Sequence, residues 1–108
     1  MRKFQGENIS FNVVLKNGNI NVDINSFDEV KLYAYTDKCV ISKFSKQPEV
    51  GFHSLTVVDN NTLSGIIPSA DTKRMKGSLF LDIFLDSRIR TVSTGIRIVK
   101  NLIKQEAL

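Results

Sequence analysis

The chain has 108 residues, of which 42% are hydrophobic and 24% charged, and its formal net charge is +4 at pH 7. This is the composition of an ordinary soluble globular domain that is long enough to bury one hydrophobic core. No segment approaches the roughly 18 apolar residues that a membrane-spanning helix requires, so we expect no membrane span. The N-terminus turns polar at once, and we expect no secretory signal. The single cysteine, Cys39, excludes an internal disulfide and suits a reducing compartment.

The first predicted element is a β-hairpin over residues 7–26. Apolar side chains occupy every second position from Ile9 to Leu15, and an Asn17-Gly18 pair follows them. This pattern is typical of two antiparallel strands joined by a two-residue turn. With Asn17-Gly18 in the turn, three apolar pairs fall on one face, which we expect to be buried. They are Leu15 with Ile20, Val13 with Val22, and Phe11 with Ile24.

Residues 29–45 predict a second pair of strands. From 29 to 36, Val30, Leu32 and Ala34 point to one side, and Lys31, Tyr33 and Tyr35 point to the other. Asp37-Lys38 then indicates a turn, and residues 39–45 form the returning strand, whose register the pattern leaves open. Within that strand, Cys39 is interpreted as a buried and inert thiol.

Two further strands, at 53–58 and 63–67, flank a polar turn at 59–62 and predict a third hairpin. Pro68 ends the second of these strands. A single helical turn follows over residues 69–77, with Ser69 as the N-cap and Gly77 as the glycine after its C-terminus. Met75 is interpreted as core filler beneath this turn.

The clearest predicted strand covers residues 78–86, where Leu79, Leu81, Ile83 and Leu85 alternate with Phe80, Asp82, Phe84 and Asp86. Residues 88–94 are a polar connection or a weak strand, and Gly95 opens a last strand. About seven short strands with almost no helix predict one all-β domain over residues 1–108, a β-sandwich with one short helical turn. A small closed barrel is the alternative architecture. Residues 98–108 are interpreted as a docking tail.

The residues that carry chemistry are sparse. His53 is the only histidine, and its relation to Cys39 is not defined by the sequence. Asp82 and Asp86 share a strand face, but four residues of strand separate them by roughly 13 Å, beyond the roughly 5–9.5 Å between glycosidase carboxylates. One cysteine and one histidine cannot supply a four-ligand zinc site. We therefore predict a protein that is not an enzyme and that uses no metal and no cofactor.

Three sets of residues are candidates for partner contacts. Tyr33 and Tyr35 point the same way from one strand, where they either pack a sheet edge or stack on a sugar or a base. Basic residues concentrate in the C-terminal third, and Arg88, Arg90 and Arg97 are the candidates among them. Acidic residues are interspersed with them, so nucleic acid is not the expected partner. The tail adds two apolar candidates, Leu102 and Ile103.

Several segments together resemble one family. They are Gly6-Glu7-Asn8-Ile9-Ser10-Phe11-Asn12-Val13, then Gly18 to Asp23, then Val30 to Tyr35, and then Ala70-Asp71-Thr72 to Gly77 at the opening of a long strand. This spacing resembles the N-terminal domain of phage baseplate upper proteins and of related small virion proteins. The resemblance implies an immunoglobulin-like antiparallel sandwich that joins neighbouring subunits of a tail, baseplate, neck or connector without catalysis.

The function implied by the resemblance is that of a virion structural protein assembled in the host cytoplasm. Its partners would be other virion proteins, and it would occur as a homo-oligomer or a multi-copy ring. The candidate contact segments are residues 39–45 and 96–108. Two alternatives stay open from the residues themselves: a carbohydrate-binding module that uses Tyr33 and Tyr35, and a small nucleic-acid-binding β-barrel that uses the C-terminal basic residues.

Overall fold

A computed structural model describes residues 1–36 and 41–100 of the chain. These residues form eleven strands, one turn of 3-10 helix and one turn of α-helix. In chain order they are β1 (Arg2–Phe4), β2 (Ile9–Val14), β3 (Lys16–Asn17), β4 (Ile20–Asn21), the 3-10 turn (Ile24–Ser26), β5 (Val30–Tyr35), β6 (Ile41–Ser45), β7 (His53–Ser54), β8 (Thr56–Val58), β9 (Thr62–Ile67), α1 (Ser69–Thr72), β10 (Gly77–Leu85) and β11 (Arg88–Val99).

Two sheets pack face to face around one core. The larger has the strand order β1-β11-β10-β5-β6-β7, the smaller has the order β2-β9-β8, and β3 and β4 form a separate short hairpin. Strands β5, β10 and β11 thus take the places of strands C, F and G of an immunoglobulin sandwich, and β2, β9 and β8 take those of B, E and D. The predicted all-β sandwich is confirmed.

The strand count and the strand directions differ in detail from the prediction. Eleven strands replace the expected seven or so, because five of the eleven are only two or three residues long and lack a pattern of their own. The pairs are antiparallel except at two sheet edges, where β1 runs parallel to β11 and β7 runs parallel to β6.

The predicted hairpin over residues 7–26 is wrong in its pairing. The observed β3–β4 hairpin contains only two residue pairs, Lys16 with Asn21 and Asn17 with Ile20, so Gly18 and Asn19 form its turn. Gly18 takes a positive φ of 65°, which suits the first position of a tight hairpin turn. Ile20 is consequently 74% exposed rather than buried.

Strand β2 pairs with β9, whose residues lie 48 to 58 positions further along the chain, instead of with residues 20–25. In this pairing Phe11 lies opposite Gly65, and Val13 lies opposite Leu63. Ile24 is buried in the core, but it belongs to the 3-10 turn, and its N–H donates to the carbonyl of Asn60 at 2.7 Å. The predicted inward face of β2 is therefore correct, whereas its predicted partner is not.

The core follows the predicted alternation. Val30, Leu32 and Ala34 of β5 are buried, as are Met75 and the inward side chains of β10 and β9. Phe11 on one sheet meets Phe44 on the other with ring centroids 5.2 Å apart and nearly perpendicular planes. Edge-to-face contact of this kind joins the two layers.

The segment between β9 and β10 differs from the prediction at both of its ends. The helix covers only Ser69–Thr72, and Pro68 rather than Ser69 is the N-cap residue. The Ser69 N–H instead donates to Asn8 Oδ1 at 2.9 Å, so a side chain that is distant in sequence caps this helix. Gly77 begins β10 and does not follow the end of the helix.

Residues 88–99 form a single long strand, β11, so of the two alternatives predicted for residues 88–94 the strand is the one observed. The pairing of β11 with β10 shifts between Ser78 and Phe80, and Gly95 takes a φ of 73° on the opposite strand. A glycine bulge therefore interrupts the strand at the point where the sequence suggested that a strand begins.

Several predictions fall outside the described residues. They concern the turn at Asp37-Lys38, the environment of Cys39, and the tail residues Leu102 and Ile103. Within the described part of the chain, no helix has the length and apolar character needed to span a membrane.

Candidate interaction surface

Five aromatic side chains lie together on the side of the larger sheet that points away from the core. They are Tyr33 and Tyr35 on β5, Phe80 and Phe84 on β10, and Phe52 in the loop before β7. All five side chains are half-buried. The four on β5 and β10 occupy strand positions that alternate with core residues, and Phe52 packs against one of these four, Tyr33. We call this set the aromatic face.

The rings of the aromatic face are packed against one another. The centroid of Tyr33 lies 5.1 Å from that of Phe84 and 6.1 Å from that of Phe52, both in edge-to-face geometry. Tyr35 and Phe80 lie 5.9 Å apart at an interplanar angle of 30°. Such contacts restrict ring rotation, so the surface is largely preorganised before any partner binds.

A carboxylate lies among these rings. Asp82 is directly opposite Tyr33 on β10, and its Oδ1 atom accepts hydrogen bonds from the Tyr35 hydroxyl at 3.2 Å and from the Thr91 hydroxyl at 2.8 Å. Partial burial, followed by the hydrogen bond and the negative charge of Asp82, raises the pKa of the Tyr35 phenol. Tyr35 is therefore a neutral hydrogen-bond donor throughout the physiological range.

Ionic contacts hold the loop that carries Phe52. The ammonium group of Lys31 lies 3.1 Å from Glu49 and 3.3 Å from Glu29, and it also lies 4.9 Å from the centre of the Phe52 ring. The hydrogen bond to Glu49 raises the pKa of Lys31, although burial acts in the opposite direction. A second lysine, Lys43, lies 5.7 Å from the same ring. Phe52 is thus fixed beside β5 rather than left as a loop tip.

Two exposed isoleucines extend the aromatic face toward its neighbouring strands. Ile41 on β6 is opposite Tyr35 and is 51% exposed, and Ile89 on β11 is opposite Phe84 and is 63% exposed. The apolar surface therefore crosses four adjacent strands. Contiguous apolar surface of this kind is characteristic of protein contact sites, whereas single exposed apolar residues are not.

The three arginines predicted as contacts do not form one patch. Arg90 and Arg88 lie on the core side of β11, opposite Ile83 and Leu85, and Arg90 Nη1 donates to the carbonyl of Lys16 at 2.9 Å. Arg97 lies on the other side of β11, and seven residues of strand place it roughly 20 Å from Arg90. This separation weakens the interpretation of a continuous site for nucleic acid.

One polar cluster contains the residue types of a nucleophilic triad but not its geometry. The Ser42 hydroxyl donates to Asp71 Oδ2 at 2.7 Å, and His53 Nε2 lies 3.2 Å from the same oxygen. A serine nucleophile needs the imidazole as its base, whereas here the carboxylate lies between the two. Ser42 is also only 1% exposed. The geometry is that of a structural link between β6, β7 and α1.

Sequence reasoning identified Tyr33 and Tyr35 but missed the phenylalanines beside them. The available signal was the outward register of Phe80 and Phe84 on β10, where two large apolar residues occupy positions opposite to the core set. Phe52 has no periodic pattern and could be placed only by the fold.

In the described residues, no three His, Cys, Asp or Glu side chains are grouped closely enough to hold a metal ion. The chain matches no protein-family model, and no relative was found among curated proteins.

Proposed function

We propose that this chain is a non-catalytic virion structural subunit that joins neighbouring proteins in a phage tail, baseplate, neck or connector. The aromatic face is the observation that carries the proposal, because it is an apolar surface built on a rigid sheet. The sequence resemblance to small virion proteins supports the phage assignment. The partner is another virion protein, and the subunit is present in several copies around the particle axis.

The composition of the aromatic face suits protein contact. Tyrosine and phenylalanine are enriched at the centres of protein interfaces, where they supply large contact areas at a small entropic cost. Lys31 and Lys43 beside the rings and Asp82 between them provide charges of both signs. A partner therefore needs an apolar centre and a mixed polar rim, which is the usual composition of a specific subunit interface.

The cluster of Ser42, Asp71 and His53 also supports a structural role. The Ser42 hydroxyl is buried, and it donates to the Asp71 carboxylate rather than to the His53 imidazole. These contacts brace the short β7 strand against the helical turn, since His53 lies on β7 and Asp71 lies in α1. The second carboxylate oxygen of Asp71 is also 3.7 Å from Arg74. In this arrangement the three side chains stabilise the end of the sandwich.

Carbohydrate binding is a second candidate, and the position of Asp82 favours it. A carboxylate beside two tyrosines can accept hydrogen bonds from sugar hydroxyls while a ring stacks on the pyranose. Edge contacts from Phe52 and Phe84 limit access to Tyr33, however, and Asp82 Oδ1 is already bonded twice. We therefore rank this function below protein contact.

The test uses particles purified from an infected culture in which the chain is supplied as wild type or as a variant. Tyr33→Ala removes the ring that touches both Phe52 and Phe84, and Val50→Ala at a 99% exposed loop position is the matched control. Quantitative mass spectrometry of the particles should find the wild type and Val50→Ala at the same copy number. Tyr33→Ala should be depleted at least tenfold.

Three other results would overturn the proposal. The first is the absence of the wild-type chain from purified particles. The second is unchanged incorporation of a folded Tyr33→Ala variant, with folding checked by thermal melting. The third is glycan-array binding by the wild type that Tyr33→Ala abolishes, which would assign the aromatic face to carbohydrate.

A further inference from the structure

Strand β2 is an open sheet edge over its full six residues. Within residues 1–36 and 41–100, it pairs with β9 on one side and has no strand on the other. In an immunoglobulin sandwich strand A occupies that second side. Here the only strand that precedes β2 is β1, and it pairs with β11 of the opposite sheet. The position of strand A beside β2 is therefore open in the described part of the chain.

The backbone groups that face this open side can be identified. Leu15, which follows β2, donates its N–H to the carbonyl of Asn61 at 2.8 Å, in line with the register of the β2–β9 pair. Hydrogen-bonded positions alternate along an antiparallel pair, so Val13, Phe11 and Ile9 also direct their backbone groups toward β9. The remaining residues, Ser10, Asn12 and Val14, direct their N–H and C=O groups outward.

This edge lacks the features that protect other sheet edges. β2 contains no charged residue, no proline and no bulge. The other edge strands of the two facing sheets are β1, β7 and β8, and each is only two or three residues long. Natural proteins shorten, charge or cover their sheet edges because an open one recruits other strands. A six-residue uncharged edge is therefore the position at which another strand can pair.

Strand β11 belongs to the part of the larger sheet that extends past β2 on its open side. The two strands are tied at both ends, since Arg90 bonds the carbonyl of Lys16 just after β2 and Gln5 N–H bonds the carbonyl of Val99 just before it. Between these ties, Val92 and Ile96 pack against the core but are only partly buried. A strand placed beside β2 would cover both side chains and complete their burial.

We propose that β2 accepts an extended segment of a partner protein, which pairs with Ser10, Asn12 and Val14 and places apolar side chains over Val92 and Ile96. The segment carries an acidic residue at the end next to Arg88 and Arg90, where the local charge is positive. This mode of recognition uses main-chain hydrogen bonds for affinity and alternating side chains for specificity. It concerns a surface distinct from the aromatic face and stands without the phage assignment.

A partner segment fits this position better than a second copy of the chain. The larger sheet has six strands and the smaller has three, and β7 and β8 are joined by one residue at their common side. At about 4.8 Å per strand, the larger sheet extends roughly 14 Å further on the β2 side. If two copies joined through β2, the projecting parts of their larger sheets would occupy the same space. A single added strand would instead rest on the projecting part of one larger sheet.

The experiment titrates isotope-labelled full-length protein with a pool of octapeptides in which Val, Ile, Leu or Phe alternates with Thr or Ser and one end is Asp. NMR then follows the amide signals. We expect shifts and slowed hydrogen exchange at Ser10, Asn12 and Val14. Asn12→Pro should weaken binding about tenfold or more while leaving the fold intact, because it removes an outward N–H. Val13→Pro is the matched control that breaks the β9 ladder and destabilises the protein.

Asn12→Lys is a second variant, whose edge charge should also lower affinity without touching the ladder. The proposal is overturned if no member of the pool shifts these three amides at millimolar concentration, or if a folded Asn12→Pro binds as well as the wild type. It is also overturned if these amides are already protected in the peptide-free protein through self-association, which sedimentation velocity would detect.

Discussion

Gly65 on β9 lies directly over the ring of Phe11 on β2. A Cβ atom at residue 65 would stand 2.7 Å from Phe11 Cζ and 3.4 Å from Phe44 Cδ2. Real Cβ atoms essentially never show a contact of 2.7 Å, so only glycine lets the Phe11 ring lie against the neighbouring strand β9 at this point. This glycine supports both the core and the β2 edge.

Gly65→Ala should lower the free energy of unfolding by about 1–3 kcal/mol, because the added methyl group must displace the packed ring of Phe11. Chemical denaturation with urea measures the change. Ser64→Ala on the same strand is the control and should stay within about 0.5 kcal/mol, since Ser64 lies on the side of β9 that is not packed in the core. Equal effects in the two variants would contradict the contact.

The raised pKa of Tyr35 predicts a loss of stability at high pH. The folded state holds the phenolic proton more tightly than the unfolded state, whose ordinary value is 10.0. This contribution is therefore complete below pH 10 and is lost as the pH rises through 10 toward the raised value. Tyr35→Phe should flatten the decline in unfolding free energy above pH 10, as measured by urea denaturation across pH 8–11. Val50→Ala, at a loop position that is 99% exposed, is the control and should leave the slope as in the wild type.

The Asp71 carboxylate should contribute measurably to stability. It accepts the buried hydroxyl of Ser42 and lies beside His53, so Asp71→Ala leaves a buried donor without its acceptor. We expect a loss of about 1–3 kcal/mol in thermal or chemical unfolding. Arg74→Ala removes only a 3.7 Å contact of a largely exposed side chain and should cost less than about 0.5 kcal/mol. A larger loss from Arg74→Ala than from Asp71→Ala would be inconsistent with this arrangement.

The placement of the arginines predicts weak, non-specific behaviour toward nucleic acid. Because Arg90 is bonded to Lys16 and Arg97 lies on the opposite face of the sheet, the two guanidinium groups do not share one binding surface. We expect no complex with single-stranded DNA near 0.15 M salt in gel filtration with light scattering. Tight binding with a steep salt dependence that Arg90→Ala and Arg97→Ala both reduce would contradict this prediction.

Residue alternation alone determined which side of β2, β5 and β10 faces the core. Ile9 and Phe11 on β2 and Leu79 to Leu85 on β10 are buried as their period-two pattern predicts, because a pleated strand sends successive side chains to opposite sides. The same rule placed Tyr33 and Tyr35 together on the outer face. All-β composition and short turn-bounded strands were enough to predict a sandwich.

Tertiary packing decided which strands pair and which side chains meet. The Asn17-Gly18 signal is local, and the structure forms only a two-pair hairpin there. Phe11 pairs instead with Gly65 of β9, and the Ile24 N–H donates to the carbonyl of Asn60. Such contacts join residues far apart in the chain, so no local pattern encodes them. The aromatic face likewise required β5, β10 and the Phe52 loop to be brought together, and the open β2 edge followed from the pairing of β1 with β11.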